Sequence, residues 1–175
     1  MSVFYKQRVL SWMLIPPLVA VGCAKAPPPV TQVEPPKQPA EARLTISATA
    51  DANPDASGRP SPVVVRVYQL KGDAAFTDAQ FFGLFDEEEQ VLGAELISRT
   101  EIVLAPSEQR TMDVPVAEEA LFVGAVAAFR DIRNAQWRVL VPAWREGARH
   151  VTLAVERSRI VAAVAEPTVD FQPRP

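Results

Sequence analysis

The segment PVVVRVYQL, residues 62–70, is the most informative stretch about the fold of this 175-residue chain. Four of its nine residues are valine, and β-branched side chains are favoured on a pleated surface that neighbouring residues cover. The leading Pro62 has no N–H group, which a strand tolerates at its first position. The segment therefore predicts a strand at a central, largely buried position of a β-sheet.

Another strand is predicted before it, from Arg43 to Ala50. Apolar and polar residues alternate there, and a period of two is typical of a strand with one buried face. The residues expected on that face are Leu44, Ile46, Ala48 and Ala50. Further strands are predicted at residues 95–104, 109–114, 121–130, 136–141, 150–155 and 160–164, and the last of these decides between seven strands and eight.

The period changes to that of a helix after the second strand. Phe81, Leu84 and Phe85 share one helical face, and Asp78 is expected to cap the helix. Short strands interrupted by one helical insertion predict an all-β sandwich. We interpret the acidic run at residues 86–89 as a solvated face or a helix end rather than a metal site, because no histidine lies near it.

The residues before the sandwich have the order of a bacterial lipoprotein signal ending at Cys23, the only cysteine of the chain. Lys6 and Arg8 precede an apolar stretch, and small residues stand directly before the cysteine. A membrane-spanning helix is the competing interpretation, but Pro16-Pro17 interrupts the stretch, which is shorter than the roughly 20 apolar residues that a span needs. We therefore predict a signal peptide at residues 1–22 and lipidation of Cys23.

Residue Ala24 stands where an aspartate would retain a lipoprotein of enteric bacteria at the inner membrane, so the predicted location is the outer membrane, with the domain facing the periplasm. Residues 23–42 form the lipidated cysteine and a proline-rich tether, since this composition favours extended polyproline II. A proline-rich ligand for a partner is an open alternative. Residues 43–175 are the predicted β-sandwich domain.

The charge and cysteine content of the chain exclude several classes of function. Loss of residues 1–22 leaves 16 basic and 21 acidic side chains, a formal charge of −5, and no basic patch, so nucleic acid is not an expected partner. Acylation of Cys23 leaves no thiol for a disulfide, a metal or a nucleophile.

No catalytic site, metal site or cofactor site is predicted. The chain has one histidine, His150, and no nucleophile-elbow motif with which it could form a catalytic triad, so we expect it to be solvated. Trp137 and Trp144 are expected to pack in or at the edge of the core rather than to form a sugar platform. These observations predict a binding or scaffolding protein and not an enzyme.

Several short motifs stand in a distinctive order along the predicted sandwich. They are VVRVYQL at 64–70, Phe76, AQFFGLF at 79–85, LGAE at 92–95, LAP at 104–106, GAVAAFR at 124–130 and QWR at 136–138. Together with the cysteine leader, they resemble the TssJ (VasD) family of outer-membrane lipoproteins of type VI secretion systems. The resemblance runs from about Arg43 to Ala143 and continues more weakly to the end.

The resemblance implies a transthyretin-like β-sandwich, in agreement with the strand pattern. It also implies a structural lipoprotein that binds the periplasmic C-terminal domain of the inner-membrane protein TssM and, with TssL, forms the membrane complex of the apparatus. In that family the loop between the first two strands contacts TssM. The corresponding residues here are rich in turn formers and predict a long exposed loop: Asp51, Ala52, Asn53, Pro54, Asp55, Ala56, Ser57, Gly58, Arg59, Pro60 and Ser61.

Two other functions are compatible with the sequence. The same anchored sandwich could serve another envelope machine, or it could bind peptidoglycan or other glycans, in which case Trp137 or Trp144 would be exposed beside polar side chains. An enzyme related to transthyretin-like hydrolases is disfavoured, because those sites need several histidines and this chain has one.

Overall fold

The computed structural model describes residues 40–166, which form two four-stranded sheets packed face to face. The strands are β1 (Glu41–Ala48), β2 (Val63–Leu70), β3 (Leu96–Leu104), β4 (Gln109–Pro115), β5 (Phe122–Ala127), β6 (Arg138–Pro142), β7 (Ala148–Val155) and β8 (Ile160–Ala165). One sheet has the order β4-β1-β7-β8 and the other β3-β2-β5-β6. The predicted all-β sandwich is confirmed, with eight strands. The predictions for the signal peptide, Cys23 and residues 24–39 lie outside the described residues.

The main core lies between the sheets and comes from alternate residues of the central strands. Strand β1 contributes Leu44, Ile46 and Ala48, as its alternation predicted, whereas Ala50 lies beyond the strand and is exposed. Strand β1 also begins two residues earlier than predicted. Other buried residues of this core are Ala42, Val63, Val65, Val67, Ile102, Leu104, Val123, Ala125, Val151, Leu153 and Val155.

Strand β2 is central, as predicted, because it pairs antiparallel with both β3 and β5. Its other face lies under the helical insertion, where Tyr68 and Leu70 form a second buried cluster with Val126 and three insertion residues, Phe76, Leu84 and Leu92. Both faces of β2 are therefore covered, which explains why large apolar residues lie on both of them.

The insertion consists of three short helices rather than the single predicted one. They are α1 (Ala74–Asp78), α2 (Phe81–Asp86) and α3 (Glu88–Leu92), followed by a 3₁₀ turn at Gly93–Glu95. The prediction that Asp78 caps the helix was wrong, because extended backbone at Ala79 and Gln80 separates α1 from α2. The predicted buried face of α2 is confirmed, since Leu84 is fully buried and both Phe81 and Phe85 are half-buried.

The acidic run is only partly solvated. Asp86, Glu87 and Glu89 are exposed, as predicted, but the side chain of Glu88 is only 15% exposed. Its carboxylate pairs with Arg99 at 2.8 Å and accepts the hydroxyl of Tyr68 at 3.1 Å. Arg66 also faces this carboxylate, at 3.5 Å. The insertion is thus fixed to the sheet by a charged cluster.

The strand directions give the sandwich two distinct ends. One end, called the loop pole below, is formed by the connections between β1 and β2, β3 and β4, β5 and β6, and β7 and β8. The chain enters β1 at Ala40 from the opposite end, where β8 also finishes. In the region from 40 to 166, no helix is long and apolar enough to cross a membrane.

Candidate partner-binding site at the loop pole

The loop between β1 and β2 is held by one buried amide. The side chain of Asn53 donates to the carbonyl of Pro62 at 2.6 Å and accepts the backbone N–H of Arg130 at 2.7 Å, and the residue is only 3% exposed. Its own backbone N–H donates to the carbonyl of Arg157 at 3.0 Å. The φ of Asn53 is +48°, a left-handed conformation that asparagine tolerates better than most residues. Asn53 therefore ties the loop to two other connections.

The tip of the loop is closed by the carboxylate of Asp55. One oxygen accepts the backbone N–H groups of Ser57 at 2.9 Å and of Arg59 at 3.0 Å, and the other pairs with the Arg59 guanidinium at 2.9 Å. The hydrogen bond from the backbone of Arg59, joined by those from Ser57 and the Arg59 side chain, holds the pKa of Asp55 below its usual value. Gly58, with φ of +79°, supplies the left-handed residue that the turn requires.

Only part of the predicted contact loop is accessible. Ala52, Asn53 and Ser61 are buried, and Pro54 and Asp55 are half-buried. The exposed members are Asp51, Ala56, Ser57, Gly58, Arg59 and Pro60. The loop is therefore long, as predicted, but it is not exposed throughout, because Ala52 packs in the core and both Asn53 and Ser61 are buried.

A groove of about 560 Å³ lies beside this loop. Three connections line it. The β1–β2 loop supplies Asn53 to Ala56, and the other lining residues are Phe129, Arg130, Asp131, Asn134, Arg157 and Ser158. The β5–β6 and β7–β8 connections were not predicted as part of the site. Phe129 and Arg130 were expected in the strand at 121–130, which ends at Ala127, and no role was expected for the β7–β8 connection.

The groove carries side chains of both signs. Arg130 and Arg157 are exposed, Asp55 pairs with Arg59, and both oxygens of Asp131 accept the amide of Asn134 at 3.0 Å. An open, mixed-charge surface suits a protein partner, because charged groups at the rim of an interface provide specificity and orientation.

The single histidine of the chain, His150, lies away from this groove. His150 is exposed on β7, and its Nε2 lies 2.8 Å from the hydroxyl of Thr45, which in turn lies 3.1 Å from that of Thr111. The Thr45 hydroxyl is thus the hydrogen-bond partner of Nε2. Among residues 40–166, no group of three or more histidine, cysteine, aspartate or glutamate side chains could hold a metal ion.

Trp137 and Trp144 are half-buried and pack against the core, as predicted. The ring of Trp137 meets Phe81 edge-on with centroids 5.4 Å apart, and the Arg138 guanidinium lies over it at 4.8 Å. The indole N–H of Trp144 donates to the carbonyl of Glu41 at 3.3 Å. This packing favours a role in the scaffold over a role as a sugar platform.

Several solved structures that are similar to this chain are described as parts of type VI secretion systems. The lipoprotein TssJ1 from Pseudomonas aeruginosa superposes with a TM-score of 0.70 at 29% identity, over 78% of this chain and 99% of that one. A chain of a structure described as the type VI membrane complex gives 0.63 at 28%, over 72% and 99%. A chain of a structure described as the TssM C-terminal domain from EAEC gives 0.59 at 27%, over 70% and 97%.

The sequence itself gives the family. No curated protein matches the chain at the threshold of the comparison. The family described as type VI secretion lipoprotein, VasD, EvfM, TssJ matches residues 40–158, which is more than half of the chain and nearly all of the described sandwich. This chain therefore belongs to the TssJ (VasD) family of type VI secretion lipoproteins.

Proposed function

We propose that this protein anchors the type VI secretion membrane complex to the outer membrane by binding the periplasmic C-terminal domain of TssM at the loop pole. Family membership supports the assignment to the machine, and a structural neighbour described as the TssM C-terminal domain is consistent with the partner. TssL joins indirectly, as a further member of the same complex. In this role the protein is a scaffold, performs no catalysis and requires no cofactor.

The observation that carries the proposal is the ordered β1–β2 loop beside a groove at the far end of the sandwich. The lipid-bearing Cys23 connects to the sandwich through Ala40, at the end opposite to the loop pole. The eight residues of β1 separate the two ends by about 25 Å at a rise of about 3.3 Å per residue. The loop pole is thus the end that a partner rooted in the inner membrane meets.

The loop is organised before any partner binds. Asn53 fixes its base and Asp55 closes its tip, so the exposed residues from Ala56 to Pro60 are presented in one conformation. Ordering such a loop during association would cost about 0.5–1.5 kcal/mol for each immobilised side chain, and a pre-organised loop avoids much of this cost.

Attachment to the membrane rests on the acyl chains of Cys23. Several chains on one cysteine make attachment effectively permanent, whereas a single chain holds a protein only marginally. The residue after the cysteine, Ala24, supports the outer membrane as the destination, and the proline-rich residues 25–39 supply reach across the periplasm.

The test is a titration of the mature chain with the TssM C-terminal domain encoded by the same organism. The chain carries Cys23→Ser to prevent acylation and keeps the residues before Arg43, because Ala40 and Ala42 are buried in the sandwich. In the test variant, Ala56 to Pro60 are replaced by two glycines. In the control variant, the exposed Glu118 and Glu119 at the opposite end are replaced by glycines.

Loss of binding in the loop variant alone, with its melting temperature retained, supports both the partner and the surface. Unchanged binding keeps the partner and moves the interface away from the loop. If the wild type does not bind at micromolar concentration, the TssM assignment is wrong.

A further inference from the structure

The helical insertion exposes a large aromatic side chain that the sandwich does not need. Phe82 on α2 is 64% exposed, the highest value of any large apolar residue in the described part of the chain. Its ring meets that of Phe81 edge-on, with centroids 5.2 Å apart. Phe81 also stacks on Phe85 at 5.2 Å and touches Trp137. These four rings are called the aromatic patch below, and the other three support the ring of Phe82.

The patch is rigid because the sheet holds the insertion at several points. The guanidinium of Arg138 donates to the carbonyls of Phe76 at 3.1 Å and Ala79 at 2.9 Å, and Glu88 is held by the charged cluster described above. An exposed aromatic ring on a fixed base is the kind of residue that dominates the binding energy of protein interfaces, since it buries a large area at a small entropic cost.

The charged residues of the insertion indicate what kind of partner surface can bind it. Residues 72–95 contain seven acidic and no basic side chains, although the whole chain has nearly equal numbers of each. The exposed acidic residues are Asp73, Asp78, Asp86, Glu87 and Glu89. Three arginines of the sheet, Arg66, Arg99 and Arg138, contact the insertion, so acidic side chains still outnumber basic ones there by seven to three. Charge complementarity therefore favours lysine and arginine in a partner that covers the insertion.

The aromatic patch adjoins the loop pole. Trp137 belongs to the same connection as Asn134, which lines the groove. The backbone of Gln136, between them, is hydrogen-bonded to Ser158 and Ile160 of the β7–β8 hairpin. A partner of ordinary interface size buries about 800 Å² on each side, which is enough to extend from the groove across this connection to Phe82.

We infer that Phe82 and the exposed acidic residues of the insertion form a second contact for the protein that occupies the groove at the loop pole. The matching surface of TssM places an apolar side chain against Phe82 and lysine or arginine beside Asp86, Glu87 and Glu89. This inference rests on the proposed function, and it adds a contact that lies outside the β1–β2 loop.

The test uses the full-length lipoprotein, extracted from membranes in mild detergent and immobilised, with the TssM C-terminal domain as the analyte. Phe82→Ser removes the apolar contact, and the double variant Glu87→Lys with Glu89→Lys reverses the field. Val164→Ser is the apolar control, since Val164 is 41% exposed on β8 of the other sheet and pairs with Val151, away from the loop pole. Glu41→Lys with Glu118→Lys is the control for net charge, because both residues are exposed at the opposite end.

We expect Phe82→Ser to weaken binding at least about tenfold, which corresponds to about 1.4 kcal/mol. The Glu87 and Glu89 double variant should weaken binding by a similar factor at low salt and by less at high salt, because salt screens exposed charges. Both controls should bind like the wild type. Because Phe82 is exposed, its variant should keep its melting temperature, and the double charge variant tests the same surface independently.

Two results overturn the inference and are distinguishable. If both insertion variants bind like the wild type while the shortened β1–β2 loop abolishes binding, the second contact does not exist and the proposed function stands. If the wild type itself does not bind, the proposed function fails and the second contact fails with it.

Discussion

Replacing Asn53 with alanine should destabilise the protein more than any other single change in the β1–β2 loop. The amide makes two hydrogen bonds, to the carbonyl of Pro62 at 2.6 Å and from the backbone N–H of Arg130 at 2.7 Å. The side chain is buried, so water does not replace these partners after the change. The backbone also has a φ of +48°, in which an alanine Cβ is strained.

The size of the effect follows from these contacts. Each hydrogen bond contributes about 1 kcal/mol net, and an orphaned buried group raises that cost. Alanine in the left-handed region costs about 1 kcal/mol more. We therefore expect Asn53→Ala to lower the free energy of unfolding by about 3 kcal/mol, or the melting temperature by about 10 °C. Asn53→Gly avoids the backbone strain and should cost about 2 kcal/mol.

The assay is urea unfolding of the mature chain with Cys23→Ser, followed by tryptophan fluorescence. Ser57→Ala is the matched control, because Ser57 is exposed at the tip of the same loop and should change the free energy by less than about 0.5 kcal/mol. If the free energy of unfolding of Asn53→Ala lies within about 0.5 kcal/mol of the wild-type value, the hydrogen bonds of the Asn53 amide do not stabilise the loop.

Three further predictions concern the second core under the insertion. Burial, with the charge of Glu88 nearby, raises the pKa of Tyr68 to about 12. The unfolded chain therefore loses this proton first, at about pH 10. The contribution of Tyr68 to the free energy of unfolding should be complete below about pH 10 and should decline up to about pH 12. Tyr68 is the only tyrosine after residue 22, so a tyrosinate absorbance that rises near pH 10 in the folded mature chain would contradict this. Glu88→Gln should lower the free energy of unfolding in urea by about 2 kcal/mol. The matched control Glu87→Gln, at an exposed neighbour, should change it by less than about 0.5 kcal/mol. Equal effects of the two variants would show that the charged cluster does not stabilise the insertion. Gly124→Ala places a Cβ 2.8 Å from the buried ring of Phe76 and should cost about 2 kcal/mol by thermal unfolding, so a variant as stable as the wild type would show that the ring has room to move.

The strands were predictable because their signals are local. Alternation in β1 and the density of valine in β2 depend on neighbours two residues apart, and the structure places Leu44 and Val65 in the core as expected. The prediction that Asp78 caps a helix was wrong because Asp78 belongs to the preceding helix. That helix ends in extended backbone at Ala79, which no local residue pattern indicated.

The groove was not predictable because its walls are distant in sequence. Asn53 meets Arg130 and Arg157 only because β1 pairs in parallel with β7 and the two sheets face each other. Burial of Glu88 was missed likewise, since Arg99 lies on a strand and the local pattern showed only a run of acids. The proposed contact loop runs from Asp51 to Ser61, and its exposed residues are Asp51 and the tip at Ala56 to Pro60.

Co-sedimentation shows whether one chain links the outer membrane to TssM. The periplasmic C-terminal domain of TssM, without its own membrane segment, is expressed in cells that carry the lipoprotein, and the membranes are separated by density. We expect the TssM domain to sediment with the outer membrane, and either Cys23→Ala or the shortened β1–β2 loop to remove it from the outer-membrane fraction. A TssM domain that stays soluble beside the wild-type lipoprotein, or one that sediments equally well with the outer membrane of both variants, would show that this chain is not the link.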